Sequence, residues 1–185
     1  MKENKSISPR NLAVIGVMTA ITCILGPLSI RIPISPVPIS FTNLAIYISV
    51  FVLGWKKGTI SYLVYLLVGL VGIPVFSGFS AGLVKLAGPT GGYLIGFILM
   101  AVIGGWFVET FTGKVYMYVL GLVLGTMMAY LFGTIWLAKV EGYTFYVALA
   151  GGVLPFLPGD AAKIIVAVLI GPVLQKRLKQ AGVLS

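Results

Sequence analysis

An aspartate and a lysine stand three residues apart in the run Leu157-Pro158-Gly159-Asp160-Ala161-Ala162-Lys163. At that spacing both side chains leave the same face of a helix. Pro158-Gly159 reads as a helix start, with Asp160 at or near the N-cap. Two readings fit the pair. In one, Asp160 caps the helix and Lys163 reaches for lipid headgroups. In the other they clamp a ligand: the carboxylate accepts from N–H groups, the ammonium donates to an oxygen, and the helix N-terminus adds a field favourable to negative charge.

Other groups could join them. Arg31 opens the segment Arg31-Ile-Pro-Ile-Ser-Pro-Val-Pro-Ile-Ser-Phe-Thr-Asn43, whose prolines cannot continue a helix. Thr42 and Asn43 end it and offer either ligand contacts or partners for backbone freed by the prolines. Ser77-Gly78-Phe79-Ser80-Ala81-Gly82 leads through Lys85 to Gly88-Pro89-Thr90-Gly91-Gly92-Tyr93. Glycines at this density, Gly78 among them, let backbone approach a small ligand closely. Phe79 and Tyr93 could form apolar walls or an interfacial aromatic belt. Lys85 could meet an acidic ligand group or snorkel, and Arg31 could equally be an interfacial anchor. Three cations against Asp160 leave a formal +2, which suits an anionic ligand with an apolar body and N–H donors.

Much other chemistry is excluded. The chain has no histidine and one cysteine, Cys23, so metal, haem and iron–sulfur sites lack their usual ligands and no cofactor is expected. A Ser-His-Asp or Cys-His hydrolase cannot be built. Four acidic residues, Glu3, Glu109, Glu141 and Asp160, are too few to line a cation pump. No Gly-x-x-x-x-Gly-Lys-[Ser/Thr] loop is present, so any energy for uphill transport comes from a partner or an ion gradient.

The elements that position these residues must sit in a bilayer. The 185 residues are 59% hydrophobic and 9% charged, against about 25% charged in soluble domains. A span uses about 20 apolar residues. The pattern therefore predicts a single all-α membrane domain, 1–185, with six transmembrane helices near 11–30, 40–54, 59–76, 92–111, 115–137 and 160–175. A stretch at 143–157, interrupted by Gly151-Gly152 and Pro155, reads as a re-entrant or broken half-helix before the last span. With a cytoplasmic N-terminus, Lys2, Lys5, Arg10, Lys56, Lys57, Lys114, Lys176, Arg177 and Lys179 fall inside, and Arg31, Lys85, Lys139 and Lys163 outside. This is the asymmetry that positive-inside topology expects for a multi-pass protein of the cell membrane. The basic excess is thus topological, with attraction to anionic lipids as a further effect, and not a nucleic-acid patch. The three unusual segments then converge on the outer side. In the first span, Ala13, Gly16 and Ala20 make a smooth stripe suited either to internal packing or to docking another membrane protein.

At the outer segments PVPISFTNLA (36–45), GIPVFSGFSAGLVKLAGPTGGYLIGF (72–97) and LPFLPGDAAK (154–163), the sequence resembles the BioY family of biotin-specific S components of energy-coupling factor transporters. The resemblance runs over nearly the whole chain. It implies six helices, an outward vitamin pocket for biotin, and a complex with a transmembrane coupling subunit and two ATPase subunits that carry out the hydrolysis. It further implies that Asp160 and Lys163 are the polar ligand pair, that Gly78 and the Gly88–Tyr93 turn lie near the ligand, and that the Ala13, Gly16, Ala20 stripe meets the coupling subunit. The chain departs from the family pattern at Thr42-Asn43, at Gly78–Gly82 and at Lys85. An S component for another vitamin and a passive solute channel are the alternative functions.

Overall fold

The computed structural model describes residues 9–33 and 35–184; Lys2, Glu3 and Lys5, used above for topology, lie outside them. The described chain is mostly helical and carries one small β-hairpin. Its elements are α1 (Pro9–Leu25), β1 (Ser29–Ile30), β2 (Ile39–Ser40), α2 (Thr42–Leu70), α3 (Leu83–Ala87), α4 (Gly91–Thr110), α5 (Val115–Glu141), α6 (Phe145–Gly152), a 3-10 turn (Leu154–Phe156) and α7 (Leu157–Gln180). By length and composition α4, α5 and the run 145–180 can each cross a bilayer.

The first helix stops at Leu25 rather than near 30. Pro27 disfavours helical geometry in the residue before it, and a Cβ on Gly26 would meet the Val75 carbonyl and the Tyr65 hydroxyl. The chain then turns into the antiparallel pair β1–β2, with Ser29 opposite Ser40 and Ile30 opposite Ile39. The proline-rich residues 31–33 and 35–38 lie between these two strands.

A loop expected between the second and third spans is absent. Instead α2 folds back on itself at Gly54 (φ 74°, ψ 178°), backbone geometry essentially reserved for glycine. The reversal is visible in packing: a Cβ on Gly58 would lie 3.3 Å from Val50 Cα, which a straight helix keeps two turns away. The arms 42–53 and 55–70 are therefore an antiparallel helical hairpin. Glu109, at the end of α4, accepts a hydrogen bond from the Trp55 amide at 3.2 Å and so serves one of the donors exposed where the second arm restarts. That arm ends at Leu70, not near 76. Gly72 (φ 113°) reverses the chain, and Phe76 tucks its ring against Gly69.

Helices α4 and α5 close on one another through small residues. Gly121, Gly125, Ala129 and Gly133 recur every four residues along one side of α5. Gly96 packs on Ala129, Gly125 on Met100, and Gly133 on the ring of Tyr93. Such stripes bring helix backbones into contact where lipid offers no hydrophobic drive for association. The segment before α7 is broken as expected: α6 ends at Gly152, a 3-10 turn follows, and α7 begins at Leu157 with Pro158 in its first turn. This start lies three residues before the expected one. Asp160 consequently sits inside the first turn rather than at the cap, and it makes no capping bond to backbone.

Candidate solute-binding site

The early start of α7 frees the Asp160 carboxylate to face neighbouring helices. Asp160 and Lys163 are 7% and 8% exposed. Lys163 Nζ contacts Asp160 Oδ1 at 2.9 Å. Asn43, in the first turn of α2, joins both: its Nδ2 donates to Asp160 Oδ1 at 2.8 Å, and its Oδ1 accepts from Lys163 Nζ at 3.0 Å. The third Lys163 donor goes to the Ser40 carbonyl at 2.7 Å. From α5, the Tyr130 hydroxyl donates to Asp160 Oδ2 at 2.6 Å. The Phe41 ring lies 5.9 Å from Lys163 Nζ, within cation–π range. The ammonium thus uses all three protons, and the carboxylate accepts three bonds. That saturation is what lets two charges persist where an unpaired one is expensive.

The network forms part of the wall of a cavity of about 570 Å³, open mouth included, lined also by Val37, Pro38, Ser77, Thr90, Leu94, Phe97, Gly152 and Phe156. Thr42 and Tyr93 belong to the same wall. Thr42 is held by a hydrogen bond between its hydroxyl and that of Ser40 (3.1 Å), and the Tyr93 hydroxyl donates to the Gly152 carbonyl at 2.8 Å. Deeper, Tyr47 and Thr126 hydroxyls meet at 2.6 Å. Beyond the Tyr130–Asp160 bond a wider apolar cleft of about 1,910 Å³ opens between α5, α6 and α7. Its walls are almost entirely hydrocarbon, whereas the polar side chains of the network line the smaller cavity.

The sequence-derived candidates therefore divide. Asp160, Lys163, Asn43, Thr42 and Tyr93 converge on one cavity. Arg31, Gly78, Phe79 and Lys85 do not line it. Phe79 is 68% exposed and points away, on a tight turn where both Gly78 (φ 74°) and Phe79 (φ 56°) have positive φ. Arg31 is nevertheless next to the wall: Ser77 lines it, and Arg31 Nη2 lies 3.7 Å from where a Cβ on the adjacent Gly78 would stand. Burial first, and the neighbouring Arg31 charge second, lower the pKa of Lys85. An anion arriving there would relieve the charge crowding.

Tyr130 and Ser40 carry the network but escape the sequence reading. A usable signal exists for Tyr130: Thr126 and Tyr130, like Asn43 and Tyr47, are polar-bearing pairs at i, i+4 in otherwise apolar runs. On α1, Ala13, Gly16 and Ala20 all face outward, and a Cβ on Gly16 would meet nothing within 4 Å. Helix α1 packs on α2 through its opposite side, where Thr19 Oγ1 donates to the Ser61 carbonyl at 3.1 Å.

Known proteins resemble this chain over nearly its whole length. A profile of the BioY family matches residues 1–180. The probable biotin transporter BioY of Pyrococcus horikoshii is 36% identical over 166 residues, covering 90% of this chain and 96% of that protein. The biotin transporter BioY of Thermotoga maritima is 37% identical over 172 residues, covering 90% and 96%. The crystal structure of the S-component for biotin from an ECF-type ABC transporter superposes with a TM-score of 0.85 at 32% identity, covering 95% of each chain. On the match of nearly its whole length, its relatives and its shape, this chain belongs to the BioY family.

Proposed function

We infer that this protein is the biotin-binding S component of an ECF-type vitamin uptake transporter, a membrane carrier subunit and not an enzyme. One observation carries the reading: a buried, saturated Asn43–Asp160–Lys163–Tyr130 network in the wall of a cavity with a largely apolar lining. Biotin has matching chemistry. Its ureido group offers two N–H donors and a carbonyl acceptor, its thioether ring is apolar, and its tail ends in a carboxylate. Because the network is already satisfied, the ligand exchanges bonds rather than filling gaps. A ureido N–H takes the place of a donor on Asp160, and the ureido oxygen takes a Lys163 proton from Asn43 or Ser40. Arg31 and Lys85 receive the carboxylate at the rim. Isothermal calorimetry on detergent-solubilised protein is expected to show one biotin bound per chain, and mass spectrometry to find biotin in the ligand that co-purifies. Absence of biotin heat, with another vitamin co-purifying, would reject the assignment.

The distribution of basic residues supports cytoplasmic termini, with the cavity opening to the outside. The chain has no nucleotide-binding loop, so ATP hydrolysis belongs to two partner subunits, reached through a transmembrane coupling subunit. The outward stripe Ala13, Gly16, Ala20 supports docking rather than internal packing, since nothing in the described chain covers it. Ala13→Leu or Gly16→Leu should reduce co-purification with the ATPase module and biotin uptake while leaving biotin affinity within twofold. Normal co-purification of both variants would mean that the coupling subunit docks elsewhere.

A further inference from the structure

Thr90 lines the cavity wall immediately before α4 and is 7% exposed, yet its hydroxyl has no hydrogen-bond partner. The strongly polar side chains Asp160, Lys163, Asn43 and Tyr130 in the same wall are bonded to one another. A buried hydroxyl left unmet costs free energy, and native structures hold few of them. The ordinary outlet for a threonine in this position is to cap the helix, with extended backbone geometry that lets its oxygen reach an amide two or three residues on. Thr90 has instead φ −90° and ψ −6°, in the helical region, and makes no side-chain cap bond. Its surroundings hold it that way. The Gly91 amide donates to the Gly88 carbonyl at 3.0 Å, and Trp136 Nε1 donates to the same carbonyl at 3.0 Å. Gly91 and Gly92 lack the side chains that would collide with the Leu86 carbonyl and with Trp136.

We propose that Thr90 is a specificity-determining ligand contact whose hydroxyl donates to the carboxylate of the bound solute. This rests on the reading of the cavity as the biotin site. Two oxygen groups of biotin could accept, the ureido carbonyl and the carboxylate. The carboxylate matches, because Thr90 stands at the N-terminus of a 20-residue helix, where the field favours negative charge. Lys85 belongs to the short helix that leads into the same turn. The ligand is thus held at two independent polar points, one at Asp160 and one at Thr90.

The test compares Thr90→Val, which keeps shape and removes the hydroxyl, with Thr90→Ser, which keeps the hydroxyl. Calorimetry with biotin and with its neutral methyl ester is paired with the Tm of the ligand-free protein in detergent. Thr90→Val should weaken biotin at least fivefold and the ester less than twofold, Thr90→Ser should stay within threefold of the parent for biotin, and the ligand-free Tm of the valine variant should not fall. An unchanged biotin affinity in Thr90→Val, or a lowered ligand-free Tm, would overturn the proposal. An equal loss for biotin and ester would overturn the carboxylate assignment. Failure of the parent protein to bind biotin would instead sink the functional reading itself.

Discussion

Asp160→Asn is expected to weaken biotin binding by at least tenfold while leaving the protein folded. The substitution preserves shape, and the new amide can still accept from Lys163 or Asn43 through its oxygen. Its nitrogen would face the Tyr130 hydroxyl, which can turn from donor to acceptor. The fold therefore keeps its bonds, whereas the ligand loses a charged acceptor. Hydrogen bonds to charged groups contribute about 1.5–3 kcal/mol, and about 1.4 kcal/mol is a factor of ten in affinity. The amide also presents N–H where a ureido N–H arrives, which places donor against donor. Calorimetric titration checks this outcome, with near-UV circular dichroism confirming unchanged packing. An affinity within twofold of the parent would remove Asp160 from the site.

Part of this arrangement is legible in the sequence for a physical reason. Charge inside an apolar chain is expensive, so Asp160 and Lys163 at one-turn spacing predict each other as partners, and the broken segment before them is announced by Gly151-Gly152 and Pro155. Asn43 is recognisable because an amide opening a short apolar span needs a reason to be there. Tyr130 is not, since a tyrosine in a membrane sequence reads equally well as an interfacial residue; its role depends on α5 lying beside α7, which no local pattern states. A break after residue 54 is legible, since the second span is read as ending there; that Gly54 alone makes the turn, with no loop, is hidden for a similar reason. Glycine within an apolar run is compatible with a straight helix, and the Trp55-Lys56-Lys57 that follows resembles a loop. What permits the fold-back is the Glu109 carboxylate, brought from fifty-four residues away to serve the Trp55 amide. The outer loops divide on the same principle. Val37, Ser77 and Thr90 reach the cavity, whereas Phe79, in the same glycine-rich segment as Ser77, is turned outward by a positive-φ turn.

Removing Lys163 should cost more than removing its partner's charge. In Lys163→Met the methionine fills much of the space, but Asp160 remains buried with only the Asn43 amide and the Tyr130 hydroxyl to hold its charge. Breaking a buried pair from one side typically destabilises by about 3–5 kcal/mol, whereas replacing both members by apolar groups is often close to neutral. The Ser40 carbonyl also loses its Lys163 donor, and with it a hydrogen bond between α7 and the β1–β2 hairpin that borders the cavity. Lys163→Met is therefore expected to lower the Tm of the ligand-free protein markedly and to abolish measurable biotin binding. The double variant Asp160→Leu/Lys163→Met should recover most of the stability and none of the binding. That combination separates the two roles of the pair, because a purely structural ion pair would restore function along with the fold. Thermal unfolding in detergent and calorimetry on the same preparations decide it. If the single variant is as stable as the parent, the Lys163–Asp160 contact is not holding the buried charge. If the double variant still binds biotin, the vitamin is recognised elsewhere in the wall.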